Sequence, residues 1–270
     1  MLKNRYNETL KFIRNQIKIS PDILIILGSG FGSVAENIDI KISIPYKDIP
    51  YFKKTTAHTH AGNLVFGKIS GKNVIVMQGR FHVYEGYEVS QTTYPVRIAA
   101  ELGAKKLIST SLAGGINEIF NIGDFMVIED HLNLSGVNPL IWDLQEPVRR
   151  YTDMYEAYNP SLIKLIENVA FELSIPLRKG VFAYLTGPNF ETRAELKMLK
   201  ILGADVVGWS LVPEVMEARK YEMDVLGLVC ISDISNPDKF GPVNLKKIYQ
   251  TGFKKTATLF SLLKNFISKL

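Results

Sequence analysis

The chain has 270 residues, 46% of them hydrophobic and 22% charged, enough apolar material for a sizeable core and too much for a disordered chain. Its net charge of +5 comes from lysines and arginines spread along the sequence without a basic block, which argues against a nucleic-acid partner. The single cysteine, Cys230, excludes an internal disulfide; no apolar run is long enough for a membrane span, and the N-terminus lacks the continuous apolar stretch of a secretory signal, so a cytoplasmic protein without a membrane partner is expected.

In chain order, residues 22–27 (DILIIL) read as a buried strand that runs straight into the turn Gly28-Ser29-Gly30-Phe31-Gly32. Residues 63–70 and 74–77 read as strands joined by the Gly71-Lys72-Asn73 turn. Residues 92–102 have helical spacing, and 106–110 and 125–128 are strand-like. The least regular stretch, 133–159, reads as a long functional or interface loop. Beyond it come an amphipathic helix over 160–173, a strand over 181–185, a helix over 191–202, strands at 205–207 and 225–231 around a helix at 213–221, and a long helix from 245 to 270. The alternation predicts one α/β domain spanning 1–270, a central mixed sheet flanked by helices with ligands at the strand ends.

The glycine loop lets backbone N–H groups and the Ser29 hydroxyl approach an anion, but it lacks the spacing of a dinucleotide loop and the lysine of a P-loop; a plain tight turn is an equal reading of it. In Gln78-Gly79-Arg80-Phe81-His82-Val83-Tyr84, three polar residues alternate after an apolar strand. If the strand geometry continues, Arg80, His82 and Tyr84 share one face, with a guanidinium fork for a phosphate, an imidazole donor and a phenol for a sugar. Cys230 lies in the apolar run DVLGLVCIS, where a buried inert thiol is expected. His58, His60, His82 and His131 come without a Cys pair or an HExxH arrangement, and no metal site is expected.

Taken together, LGSGFG, THAGNLVFG, QGRFHVYEGY, TSLAGGIN, LTGPNFETRAE and VGWSLVPEVMEAR run nearly end to end through the chain, and in their order and spacing the sequence resembles the trimeric purine nucleoside phosphorylases, a family that includes methylthioadenosine phosphorylases. The resemblance implies phosphorolysis of a purine nucleoside to free base and ribose 1-phosphate, with no metal or organic cofactor. It implies a phosphate site of Ser29, Arg80, His82, the amide of Leu112, and Ser210, with His60 assisting phosphate and ribose. It places Tyr84 at the ribose, Tyr151 as an aromatic lent by a neighbouring subunit of a homotrimer, and Phe190, Glu191 and Asp233 around the base. His60, His82, Glu191 and Asp233 are then the catalytic candidates.

The chain also departs from that pattern. Asp233 stands where enzymes for 6-oxopurines usually carry Asn, which favours a 6-amino base, whereas Glu191 suits the protonated ring nitrogen of hypoxanthine or guanine. Trp209 replaces a methionine beneath the ribose, Leu112 replaces an alanine beside the phosphate amide, and Leu245 falls where the nucleoside branch has a histidine near the 5′-hydroxyl. The expected substrates are inosine and guanosine, with adenosine or a 5′-modified nucleoside as the alternative. A member that binds a nucleoside or phosphate without turnover is a further alternative, since Trp209 and Leu112 are bulky; a nucleoside hydrolase would need an Asp-rich calcium site that the N-terminus lacks.

Overall fold

The apolar run after Asp22 forms β1 (Ile23–Leu27), all of it buried, because it lies parallel between two other strands and so meets protein on both edges. The computed structural model describes residues 2–57, 59–141, 151–239 and 241–270. Before β1 comes α1 (Leu2–Arg14), which buries Leu10 and Ile13. After it come β2 (Asp39–Pro45), β3 (Asn63–Ile69), β4 (Lys72–Gln78), α2 (Val89–Thr92), α3 (Tyr94–Glu101), β5 (Lys106–Gly115) and β6 (Phe125–Asn133). The second half adds α4 (Pro160–Glu172), β7 (Leu177–Tyr184), α5 (Arg193–Ile201), β8 (Val206–Gly208), α6 (Val212–Lys220), β9 (Asp224–Ile234) and α7 (Leu245–Ser268).

The strands form one mixed sheet in the order β2-β3-β4-β1-β5-β8-β7-β6-β9. Its far end closes on itself, because β9 also pairs in parallel with β5 along nearly the whole of that strand. The α/β class expected from the alternation is therefore observed. Strands β1 and β4 deliver their C-terminal turns to one edge of this closed portion, and β5, β8 and β9 end beside them, so a mouth forms where five chain segments stop pairing. Among the described residues, no helix is long and apolar enough to cross a membrane.

Several boundaries differ from the sequence reading, each for a physical reason. The sequence reading includes neither α1, although Tyr6, Leu10 and Ile13 recur at helical spacing, nor β2, an edge strand with a mostly exposed DIKISI pattern. Strand β6 continues through the mostly polar stretch Glu129 to Asn133 by means of a bulge after Ile128, and so runs up to the first residue of the expected loop. Of that loop, residues 142–150 lie outside the described residues, as does His58. Helix α5 starts only after Thr192, whose hydroxyl and Glu195 form a reciprocal cap, and this leaves Glu191 on the loop instead of the helix. Strand geometry does not continue past Gln78 either. Gly79 takes φ 105° and turns the chain, so Arg80 points inward while His82 and Tyr84 stack at 4.5 Å.

A Cβ at Gly79 would collide with the His60 ring in a backbone region that side chains rarely adopt. Gly79→Ala is expected to destabilise the protein by about 1–3 kcal/mol, measured by urea unfolding; an unchanged midpoint would contradict that geometry.

Candidate active site

The mouth opens into a cleft of about 670 Å³ lined by Ser29, His82, Leu112, Ser210, Phe190, Glu191, Trp209 and Asp233 among others. One end is built from hydroxyls and an imidazole. Gly28 lets β1 run against β5, because a Cβ there would stand 2.6 Å from the Thr110 carbonyl oxygen. Ser29 then projects from the turn, its Oγ 3.4 Å from His60 Nε2. Ser210 follows β8 and precedes α6 across a strained corner, with Leu211 at φ 74° and the Val212 N–H donating back to the Ser210 carbonyl at 2.9 Å.

Behind Ser210 lies a buried ionic network. Arg80, 1% exposed, donates from Nη1 to Ser210 Oγ at 2.8 Å and from Nη2 to Ser109 Oγ and the Thr110 carbonyl, and its Nε lies 3.3 Å from Glu214 Oε1. Ser109 donates in turn to Glu214 Oε2 at 3.0 Å. Burial raises the Glu214 carboxyl, while Arg80 and Ser109 pull it back. Arg80 does not line the main cleft. It lines a smaller adjoining space of about 220 Å³, shared with His82 and Ser210, so its direct action on this geometry is to hold the Ser210 hydroxyl.

Burial lowers both histidines below the usual imidazole range. Burial, then the neighbouring His82 and Arg80, lowers His60 to about 3. His60 stands behind the cleft wall, where Nδ1 meets the Arg80 backbone, and it stacks on His82 at 5.3 Å. Burial also lowers His82, although Glu85 opposes the shift. Burial acts to raise Glu85, but bonds from His82 and Thr56 outweigh it and hold the carboxyl at about 2. Ionised Glu85 accepts from Nδ1 at 2.9 Å, so neutral His82 leaves Nε2 as an acceptor in the cleft it lines, not the donor expected from the sequence, and that nitrogen suits the hydroxyl of a hydrogen phosphate.

The other end is aromatic and acidic. Phe190 and Trp209 meet at 4.7 Å, Tyr84 meets the indole edge-on at 6.1 Å, and a Cβ on Gly187 would strike the indole at 2.7 Å, so Trp209 is held on several sides. The indole Nε1 donates to Glu191 Oε1 at 3.1 Å. Asp233 accepts from Ser232 at 2.7 Å and from Ser235 at 3.2 Å. Burial raises both acids, and the charge of Asp233 raises Glu191 further.

Of the residues singled out in the sequence, Ser29, His82, Tyr84, Leu112, Phe190, Glu191, Trp209, Ser210, Asp233 and Leu245 come together in the cleft. Arg80 and His60 stand behind its wall. Tyr151, 90% exposed, lies outside the cleft of its own chain. Cys230 is fully buried, and burial pushes its thiol up to about 12. The sequence reading missed Ser111, Ser232, Ser235, Ile248 and Tyr249, which also line the cleft. Signals point to four of the five: Ser232 and Ser235 flank Asp233 in ISDIS, and Ile248 and Tyr249 share a helix face with Leu245.

Comparison with known proteins agrees with this architecture. Residues 22–268 match the family model of the phosphorylase superfamily. The chain is 41% identical to purine nucleoside phosphorylase 1 of Geobacillus stearothermophilus, with 100% of this chain and 99% of that protein aligned. It superposes with a TM-score of 0.93 and 36% identity on the Schistosoma mansoni purine nucleoside phosphorylase in complex with adenosine, covering 99% of this chain and 97% of that one. The inosine complex of that protein gives the same score and identity, covering 99% and 96%. The chain belongs to the phosphorylase superfamily and, within it, to the purine nucleoside phosphorylases.

Proposed function

We propose that this cleft cleaves purine ribonucleosides and 2′-deoxyribonucleosides with phosphate, inosine and guanosine first, giving the free base and the pentose 1-phosphate. Phosphate sits among Ser29, His82, the Leu112 amide and Ser210, with Arg80 and His60 fixing those groups from behind. As the bond from C1′ to the purine breaks, its electron pair moves onto the base, and a phosphate oxygen forms the new bond to C1′ from the opposite face. The anion beneath the sugar stabilises its developing positive charge. Protonated Asp233 donates to nitrogen 7 of the departing purine, while ionised Glu191 accepts the N–H at position 1. Phe190 packs on the base, and Tyr84 and Trp209 enclose the ribose, with Leu245 beyond them toward the 5′ end.

The observation that carries this reading is that Glu191 and Asp233 line one cleft, each raised by burial, with Glu191 bonded by the Trp209 indole and Asp233 by Ser232 and Ser235. With one acid ionised and the other protonated, the two offer one acceptor and one donor, the complement of a 6-oxopurine edge. The same proton placed on Glu191 would suit adenine, so adenosine or methylthioadenosine is the second reading. Phosphate is the co-substrate, and no metal or organic cofactor has a step to perform. The assembly proposed is a homotrimer in which exposed Tyr151 closes a neighbour's ribose site, and the compartment proposed is the cytoplasm.

Measuring kcat/KM for inosine, guanosine, adenosine and methylthioadenosine with phosphate tests the preference. Inosine and guanosine are expected to lead, and a lead for methylthioadenosine would overturn it.

A further inference from the structure

Trp209 departs from the family pattern and touches one of the two base-reading acids, and its indole does more than fill space. Its Nε1 donates to Glu191 Oε1 at 3.1 Å, and the ring cannot swing away because Gly187, Phe190 and Tyr84 surround it. An indole N–H only donates. The partners of Asp233 are the hydroxyls of Ser232 and Ser235, which donate or accept by rotation. The two acids therefore differ in what they tolerate: the fixed donor favours a carboxylate at Glu191, whereas the serines adapt to either form of Asp233.

We infer that Trp209 is a specificity-determining residue, whose indole N–H holds Glu191 as the acceptor of the acid pair, leaves the proton to Asp233, and so selects 6-oxopurine over 6-aminopurine nucleosides. This rests on the proposed phosphorolysis and deepens it. It also gives the indole a role that a methionine thioether, lacking any N–H, does not perform. The charged groups acting on Glu191 are Asp233 and Glu195; both are acidic, so Trp209 is the side-chain donor opposing them.

Trp209→Phe keeps an aromatic ring and removes the donor. The inosine-to-adenosine ratio of kcat/KM is expected to fall about tenfold or more, the usual scale of a hydrogen bond to a charged group, and the acid limb of the inosine profile to move to higher pH. A purely structural indole would lower both nucleosides alike, so an unchanged ratio with reduced activity overturns the inference. The unaltered protein provides a check that needs no variant. With phosphate present, calorimetry is expected to show hypoxanthine binding more tightly than adenine, and adenine gaining on acidification as Glu191 takes up a proton. Equal or tighter adenine binding at neutral pH overturns the inference while leaving phosphorolysis intact. No phosphate-dependent base release from either nucleoside overturns the underlying reading as well.

Discussion

Arg80→Met is expected to destabilise the protein by about 3–5 kcal/mol, because it strips the buried Glu214 carboxylate of its counter-charge. The Ser109 hydroxyl remains as a donor to Glu214, and one neutral donor does not replace a guanidinium. The double variant Arg80→Met with Glu214→Met should recover most of that loss, since the uncompensated charge is gone. Activity should not recover with it. Ser210 loses the Nη1 donor in both variants, and the KM for phosphate is expected to rise about tenfold or more in each. Urea unfolding and phosphate kinetics on the same preparations separate the two effects. Equal stability of single and double variants would show that Glu214 is not ionised in the fold.

The second large effect is at Asp233. Asp233→Ala is expected to lower kcat on inosine on the order of a hundredfold, the lower range for loss of a general acid. Asp233→Asn should retain much more activity and shift preference toward inosine, because an amide donates at every pH. The pH dependence has a definite sign. Burial raises the Asp233 pKa, so the donating form is complete at low pH and is lost as pH rises through that raised value. Inosine turnover in the parent should therefore show an alkaline limb that Asp233→Asn lacks. An identical limb in both proteins, or no change in base preference, would remove Asp233 from base recognition.

Much of the scaffold was legible in the sequence because its signals are local. The run DILIIL ending in Gly28 specifies a buried strand and a tight turn within ten residues, and the long amphipathic α7 declares itself by spacing alone. What was not legible depends on partners remote in the chain. Arg80 reaches Ser210 across 130 residues, and the Glu214 that neutralises it gives no local sign of its role. Alternation suggested that Arg80, His82 and Tyr84 share a strand face, and one positive-φ glycine overrode it. The sequence posed the disagreement between Glu191 and Asp233, but the hydrogen bond from Trp209 that bears on it emerged only once β8 and the loop before α5 were placed together.

The most direct measurement is a mass balance on inosine with and without inorganic phosphate, following hypoxanthine by absorbance and ribose 1-phosphate by phosphorus NMR. Hypoxanthine and ribose 1-phosphate are expected in equal amounts with phosphate, with no release without it. Release of hypoxanthine with free ribose in the absence of phosphate, or no release under either condition, would contradict phosphorolysis.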